Sequence, residues 1–158
     1  MANTQSMCTS FMGELMTATH NFGTAPTRAT SAADTFKGAL YLASATMDAS
    51  TTAYTTTGEV TGAGYSPGGV TVTNANPPTA TNASATAGVA YWTPSASLIY
   101  TSVTLTTAFD AVLIYNSTQS DKAVSVHTFG SQTITAGTFT LTMPANTTST
   151  ALLRLATT

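Results

Sequence analysis

The sequence predicts an all-β protein, a β-sandwich or jelly-roll-like fold, with one amphipathic helix at its N-terminus. Three observations support this fold class. The apolar residues of the first segment repeat with helical spacing, the rest of the chain changes to alternating or β-branched runs, and Gly, Pro, Asn or Ser clusters interrupt those runs about every ten residues. A chain of 158 residues is long enough for one domain with one core.

The predicted helix runs from about Thr4 to Asn21. Its apolar side chains are spaced at i, i+3, i+4, i+7 and i+8, which places them on one stripe of the helix: Cys8, Phe11, Met12, Leu15 and Met16. The stripe packs either on its own sheet or on another subunit. We therefore divide the chain into an N-terminal helix or arm, residues 1–22, and a β-sandwich domain, residues 23–158.

Ten short strands are predicted after the helix: Phe36 to Ala43, Ala53 to Val60, Gly69 to Asn74, Val89 to Trp92, Ser97 to Thr106, Ala108 to Asn116, Ala123 to Phe129, Gln132 to Ala136, Thr138 to Met143 and Ala151 to Leu155. The run from Ala111 to Tyr115 is apolar on both faces, which predicts a central strand covered on both sides. Ala136 and Gly137 are predicted to be the hinge of a hairpin, and the segment from Asn74 to Gly88 a long surface loop.

Charged residues are unusually rare. They make up 6% of the chain, which has four Lys or Arg, six Asp or Glu and a formal net charge of -2, whereas soluble domains average about 25%. So few cations argue against binding to nucleic acid or to a membrane surface. Monomeric β proteins commonly guard their sheet edges with charge, yet the stretch between Glu59 and Asp110 has none. This favours a chain packed among copies of itself or a partner. The alternative is a lineage with surfaces simply rich in Thr.

The N-terminus, Met1 to Ser6, contains no Lys or Arg and no apolar run follows it, which argues against a secretory signal peptide. No stretch has the roughly 18 consecutive apolar residues that a membrane-spanning helix needs. The single cysteine, Cys8, excludes an intramolecular disulfide. We therefore expect synthesis in a cytoplasm.

The sequence contains no recognisable catalytic or cofactor-binding motif. His20 and His127 are its two imidazoles, and there is no HExxH sequence, Gly-x-Ser-x-Gly elbow or EF-hand loop. His127 falls on the polar face of an alternating strand, where a solvated or hydrogen-bonded role is expected. Cys8 lies on the apolar stripe and is expected to be a small buried side chain. We therefore predict no catalytic residue, no metal site and no cofactor.

Tyr91 and Trp92 lie together at the end of a predicted strand, just after the long loop. Both residue types are enriched in interface hot spots, although a lone Trp in a sandwich is also common in the core. The predicted interaction residues are therefore those of the helix stripe and this aromatic pair: Phe11, Met12, Leu15, Met16, Tyr91 and Trp92.

Five segments spread over nearly the full chain carry a resemblance to a known family: Ala33 to Leu42, Thr57 to Gly62, Gly68 to Thr73, Phe109 to Asn116 and Ser125 to Gly130. In this order they are similar to a family of small virion proteins encoded by tailed bacteriophages. They are strand and turn sequences, so no site residue is carried over. The resemblance implies a structural protein of the virus particle with no enzymatic activity and no cofactor.

The major shell protein of a tailed phage needs a longer, mixed α/β chain, so the size favours an accessory protein. We expect a capsid decoration or cement protein on the capsid exterior, which oligomerises and bridges subunits of the major capsid protein or another virion protein. Two other classes stay open. One is a head- or tail-fibre module that binds a receptor or glycan through the Asn74 to Gly88 loop with Tyr91 and Trp92. The other is an enzyme, such as a lyase, on a β scaffold.

Overall fold

The computed structural model describes residues 2–16, 19–22, 33–73, 78–81 and 88–156. The all-β prediction is confirmed, because the described residues form two antiparallel sheets and one short helix, α1 (Thr9–Met16). The strands are β1 (Ser6–Met7), β2 (Phe36–Leu42), β3 (Val70–Thr71), β4 (Thr79–Ala80), β5 (Val89–Trp92), β6 (Leu98–Asn116), β7 (Lys122–Leu141) and β8 (Leu153–Ala156).

The larger sheet has the strand order β1-β7-β6-β2-β3, and the smaller sheet has the order β4-β5-β8. β6 therefore lies between β7 and β2, and its residues 111–116 are all buried. The central strand predicted from the apolar run at Ala111 to Tyr115 is confirmed. A strand covered on both faces has no need for the alternation that a half-exposed strand shows.

β6 bends back on itself. Gly38 of β2 pairs with Ile114 near the end of β6, yet the hydroxyl of Tyr100, near its start, donates to the Gly38 carbonyl oxygen across 2.8 Å. A straight strand would separate residues 100 and 114 by about 46 Å. The ribbon of β6 and β7 therefore folds back over β2. Ser102, in the left-handed region at φ 54°, and several register shifts mark the bend.

Aromatic rings fill the space inside this bend. The ring of Phe109 lies edge-on to that of Phe139, with centroids 5.1 Å apart, and also edge-on to Phe129 at 6.0 Å. Phe139 also lies 5.9 Å from Tyr100. Each such pair contributes about 1 kcal/mol beyond the area it buries, so the cluster stabilises the folded-back ribbon.

The N-terminal segment packs on the same core. Cys8 and Phe11 are fully buried, and β1 pairs with β7 through Ser6 and Val126. The helix prediction is wrong at both ends, since residues 6–7 form a strand and residues 19–22 are not helical. Pairing with the edge of β7 satisfies the backbone groups of β1, which outweighs the local helical pattern.

Several strand predictions also need correction. β2 and β5 are confirmed, but residues 53–60 contain only the isolated bridges of Ala53 and Glu59. The five predicted strands between residues 97 and 143 are two long strands, β6 and β7. The predicted hairpin at Ala136 and Gly137 is wrong, because both residues lie inside β7, where the strand register shifts. Their turn-like sequence forms a bulge instead.

β4 lies within the segment predicted as a surface loop, and its Thr79 and Ala80 pair with Tyr91 and Ala90 of β5. Residues 74–77 and 82–87 of that segment lie outside the described part of the chain. The division of the chain at residue 22 stays a prediction.

Candidate functional site

An open groove of about 370 Å³ lies between α1 and the smaller sheet. Its walls are almost entirely apolar and include Phe11 and Leu15 on α1, Tyr91 and Trp92 on β5, and Leu153 and Leu155 on β8. α1 packs near the smaller sheet because the α1 stripe and the face of β8 that carries Leu153 and Leu155 both need an apolar neighbour.

Four of the six predicted interaction residues line this groove. Phe11 and Trp92 are each 2% exposed and form its floor, whereas Leu15 and Tyr91 are half-buried. The side chains of Met12 and Met16 lie outside the described part of the chain. Helical spacing on one element and an aromatic pair on another therefore converge on one surface, and a role of these residues in binding stays a prediction.

Sequence reasoning missed the other side of the groove. Leu155 is 41% exposed, one of two large apolar side chains so exposed in the described residues. Phe22, whose ring lies 4.7 Å from that of Trp92, closes the groove behind α1. The spacing of Leu153 and Leu155 is the signal that could have identified the β8 wall, because residues i and i+2 of a strand share a face.

A second candidate surface is the β7 edge, which we define as residues 128–141 on the side of β7 away from β6. On that side, the described residues that pair with β7 are Ala53, Met7 and Ser6, and they reach only Lys122, Ser125 and Val126. Beyond Val126 the described residues supply no further strand neighbour there. Most of the edge, from Gly130 to Thr140, is exposed to solvent.

The β7 edge lacks charge and proline guards, although the bulge at Ala136 and Gly137 interrupts it. No Lys, Arg, Asp or Glu lies between Lys122 and Arg154, and the first proline in that stretch is Pro144. Sheet edges in monomeric proteins typically carry Lys or Pro because unpaired backbone groups otherwise bind other strands. Ile99, which is 50% exposed, pairs with Thr140 from the β6 side of β7 and adds an exposed apolar side chain to the same ribbon.

Comparison with protein-family models, with curated proteins and with solved structures finds no match to this chain. Among the residues that the structure describes, no group of three or more His, Cys, Asp or Glu side chains could hold a metal ion. No helix in the same residues is long and apolar enough to cross a membrane.

One serine and histidine pair resembles part of a hydrolytic site. Oγ of Ser125 lies 2.8 Å from Nε2 of His127 on the same strand. Ser125 is 1% exposed and pairs with Met7 of β1, so its side chain is almost fully covered. Burial lowers the pKa of His127 to about 4, which makes it a weak base. The geometry fits the hydrogen-bonded role predicted for His127.

A buried carboxylate organises the loop between β2 and β3. Glu59 accepts hydrogen bonds from the hydroxyls of Tyr54 and Tyr65 and from the backbone N–H of Gly68, each across 2.7 Å. Burial, followed by the contact with Glu59, raises the pKa of both tyrosines well above the usual range. Their hydroxyls therefore stay protonated as donors, and the cluster anchors the loop.

Cys8 is equally unsuited to chemistry. Its side chain is fully buried, and burial raises the pKa of its thiol to about 12, followed by smaller effects of Asp48 and Glu14. The reactive thiolate is therefore scarce at neutral pH. Cys8 packs as the small apolar side chain that its place on the stripe predicts.

Proposed function

We propose that the chain is a non-enzymatic accessory structural protein of a tailed-bacteriophage virion. In this proposal it is a capsid decoration or cement protein on the outside of the head, and it stabilises the shell by bridging neighbouring subunits. Its partners are further copies of itself and the major capsid protein or another virion protein. The observation that carries the proposal is the β7 edge, an exposed strand edge with no charge, and the resemblance of the strand segments supports it.

A neutral edge suits a cement protein for a physical reason. Contacts made through backbone groups, Thr hydroxyls and apolar side chains are little affected by salt, whereas contacts between exposed charges are screened. A standard protein interface buries about 800 Å² on each partner. Repeated over many copies, even modest contacts of that size raise the force needed to open the joints between subunits.

We infer a β-sandwich or jelly-roll-like arrangement for the body. The folded-back ribbon supports this, because Tyr100 in the first half of β6 bonds to Gly38, which pairs with Ile114 in the second half. The helix stripe at Phe11 and Leu15 belongs to the same proposal. It faces the chain's own groove here, and the same groove on a neighbouring copy would offer it equivalent contacts.

The fibre-module alternative rests on the Asn74 to Gly88 loop with Tyr91 and Trp92. Most of that loop lies outside the described residues, and Tyr91 is half-buried at the groove. A glycan site needs several hydrogen-bonding groups beside an aromatic ring, because sugars are covered with hydroxyls. The groove walls have almost none, and Trp92 is 2% exposed. The geometry therefore favours an apolar protein segment over a glycan at this site.

Sedimentation velocity of the purified chain, alone and mixed with shells that lack it, tests the proposal. The informative variant is Thr138→Lys with Thr140→Lys, which places two charges on the β7 edge at exposed positions. The matched control is Thr56→Lys with Thr57→Lys, which adds the same charge at exposed positions of the β2–β3 loop.

We expect the unmodified chain to self-associate or bind shells, and the edge variant to lose about tenfold or more in affinity, since one charge facing an uncharged strand costs over 1 kcal/mol to desolvate. The control should bind as the unmodified chain does. The proposal would be contradicted if the chain stays monomeric at high concentration and does not bind the shells. Binding of host polysaccharide instead would favour the fibre module.

A further inference from the structure

His20 is the centre of a buried polar cluster that joins the N-terminal segment to the β body. Its side chain has no exposed surface, and its Nε2 lies 2.7 Å from Oε2 of Glu14. Its Nδ1 lies 3.0 Å from the side-chain nitrogen of Asn116. Oε1 of Glu14 also accepts a hydrogen bond from Nζ of Lys122 across 2.7 Å. The ring is thus held between a carboxylate and an amide.

Asn116 has only one possible orientation. Its Oδ1 accepts hydrogen bonds from the backbone N–H groups of Thr118 and Gln119, so its Nδ2 is the group that faces His20. The second hydrogen on Nδ2 is donated to Oδ2 of Asp34 across 2.8 Å. A flipped amide would direct its NH₂ group at two N–H donors and its oxygen at a carboxylate.

This fixed amide selects one protonation state of His20. The neutral ring with its proton on Nε2 donates to Glu14 and accepts from Asn116, so both nitrogens are satisfied. A protonated ring carries a second N–H on Nδ1, which would point at the N–H of Asn116. Two donors would then face each other in a buried site, and the unsatisfied donors destabilise the docked state.

The groups around His20 both raise and lower its pKa. Burial lowers the pKa of His20 and Lys122 adds to this, while Glu14 and Asp34 oppose it, and the balance lies below the usual 6.5. A state in which His20 reaches solvent would bind a proton at its ordinary pKa. Acid therefore shifts the equilibrium towards that state.

We propose that α1 and residues 19–22 form an acid-released strap, latched to the β body by neutral His20 between Glu14 and Asn116. Protonation of His20 opens the latch, and the strap separates from the β body. The surface then uncovered includes Phe36 and Trp92, against which Phe22 of the strap packs with ring centroids 4.4 Å and 4.7 Å away. The inference concerns the strap alone and does not depend on the proposed virion role.

Trp92 makes the strap directly observable. It is the single tryptophan of the chain and is 2% exposed beneath Phe22. Release of the strap would bring its indole into contact with water and move its fluorescence emission to longer wavelength. Hydrogen exchange supplies a second signal, because the backbone N–H of Asn21 bonds to Oδ2 of Asp34 only while the strap is docked.

The experiment follows Trp92 emission and hydrogen exchange between about pH 7.5 and pH 4.5, a range that spans histidine titration. We expect the emission to shift and protection at Asn21 to fall about tenfold or more beyond any fall at Leu113 in the central strand, which follows the stability of the whole fold. The variant is His20→Gln, which keeps a neutral donor towards Glu14. The matched control is His127→Gln, which removes the other histidine.

The His20→Gln variant should lose the acid-induced shift of Trp92 emission, and the His127→Gln variant should keep it. The inference is overturned if the Trp92 emission of His20→Gln still shifts in acid, or if that of the unmodified chain does not. It is also overturned if protection at Asn21 and Leu113 falls by the same factor, because that result would indicate global unfolding. Should His20→Gln fail to fold, ring NMR of the unmodified chain decides. The titration midpoint of His20 must coincide with that of Trp92 emission, and separate midpoints would overturn the latch.

Discussion

The amide nitrogen of Asn116 lies 3.0 Å from Nδ1 of His20, although 96 residues separate the two in sequence. This contact connects the last residue of β6 to the N-terminal segment, and the same nitrogen bonds to Asp34 just before β2. Three distant parts of the chain therefore meet at one side chain, which is fully buried. Few charged residues exist in this chain, and two acids and a lysine gather at this junction.

Replacing Asn116 should strongly lower the free energy of unfolding. Asn116→Ala removes the partner of His20 and Asp34 and leaves their buried polar atoms unsatisfied, so we expect a loss of about 3 kcal/mol in the free energy of unfolding. Asn146→Ala is the control, because the side-chain oxygen of Asn146 has no hydrogen-bond partner. It should change stability by less than about 0.5 kcal/mol. Urea unfolding measures the stability of both variants. Similar losses in the two would contradict the claim that Asn116 holds this junction together.

Gly69 should tolerate no side chain. Its φ is +71°, and a Cβ there would lie 1.8 Å from the carbonyl oxygen of Gly38. Gly69→Ala therefore combines left-handed strain with a backbone clash, and we expect a loss of about 3 kcal/mol. A Cβ on Gly130 meets nothing within 4 Å, so Gly130→Ala should be close to neutral. Thermal unfolding compares the two, and equal melting temperatures would show that β3 does not pack on β2 as described.

The fold-back of β6 depends in part on the Tyr100 hydroxyl. Tyr100→Phe removes its 2.8 Å bond to Gly38 without changing the shape of the ring, and we expect a loss of about 1 kcal/mol. Tyr91→Phe removes a hydroxyl from a half-buried tyrosine at the groove and should leave stability within about 0.5 kcal/mol of the unmodified chain. If Tyr100→Phe is also neutral in chemical denaturation, the bend does not rely on this contact.

Acid should destabilise the fold through His127. Burial lowers the pKa of His127 from 6.5 to about 4, so below pH 6.5 the unfolded chain binds a proton that the folded chain excludes. Stability is then lost as the pH falls from 6.5 towards 4, by about 3 kcal/mol in total. His127→Gln should flatten this part of the curve of unfolding free energy against pH. An unchanged slope in that variant would mean that His127 is solvated.

Local sequence patterns predict those strands whose position depends on neighbouring residues in the chain. β2 and β5 are bounded by turn residues and fall where the sequence places them, and the two-sided apolar run of β6 is central. The bend could not be predicted in this way, because Tyr100 and Gly38 are 62 residues apart. Ala136 and Gly137 have the composition of a hairpin turn, and only their pairing with β6 makes them a bulge.

Only part of the candidate groove could be predicted, because local patterns identify residues but not which elements pack together. Helical spacing identified Phe11 and Leu15, and residue type identified Tyr91 and Trp92, but nothing local states that the two pairs face each other. Leu155 was missed because a short strand gives a weak pattern. The latch at His20 could not be predicted at all, since nothing local indicates that its partner Asn116, the last residue of a predicted strand, lies beside the N-terminal segment.

A reconstruction of the virus particle that carries this chain tests the central claim most directly, because it shows both location and copy number. We predict copies at the symmetry positions of the capsid exterior, with residues 128–141 or the groove beside Leu155 against a neighbouring chain. Absence from the shell, or a position in which both surfaces face solvent, would contradict the account.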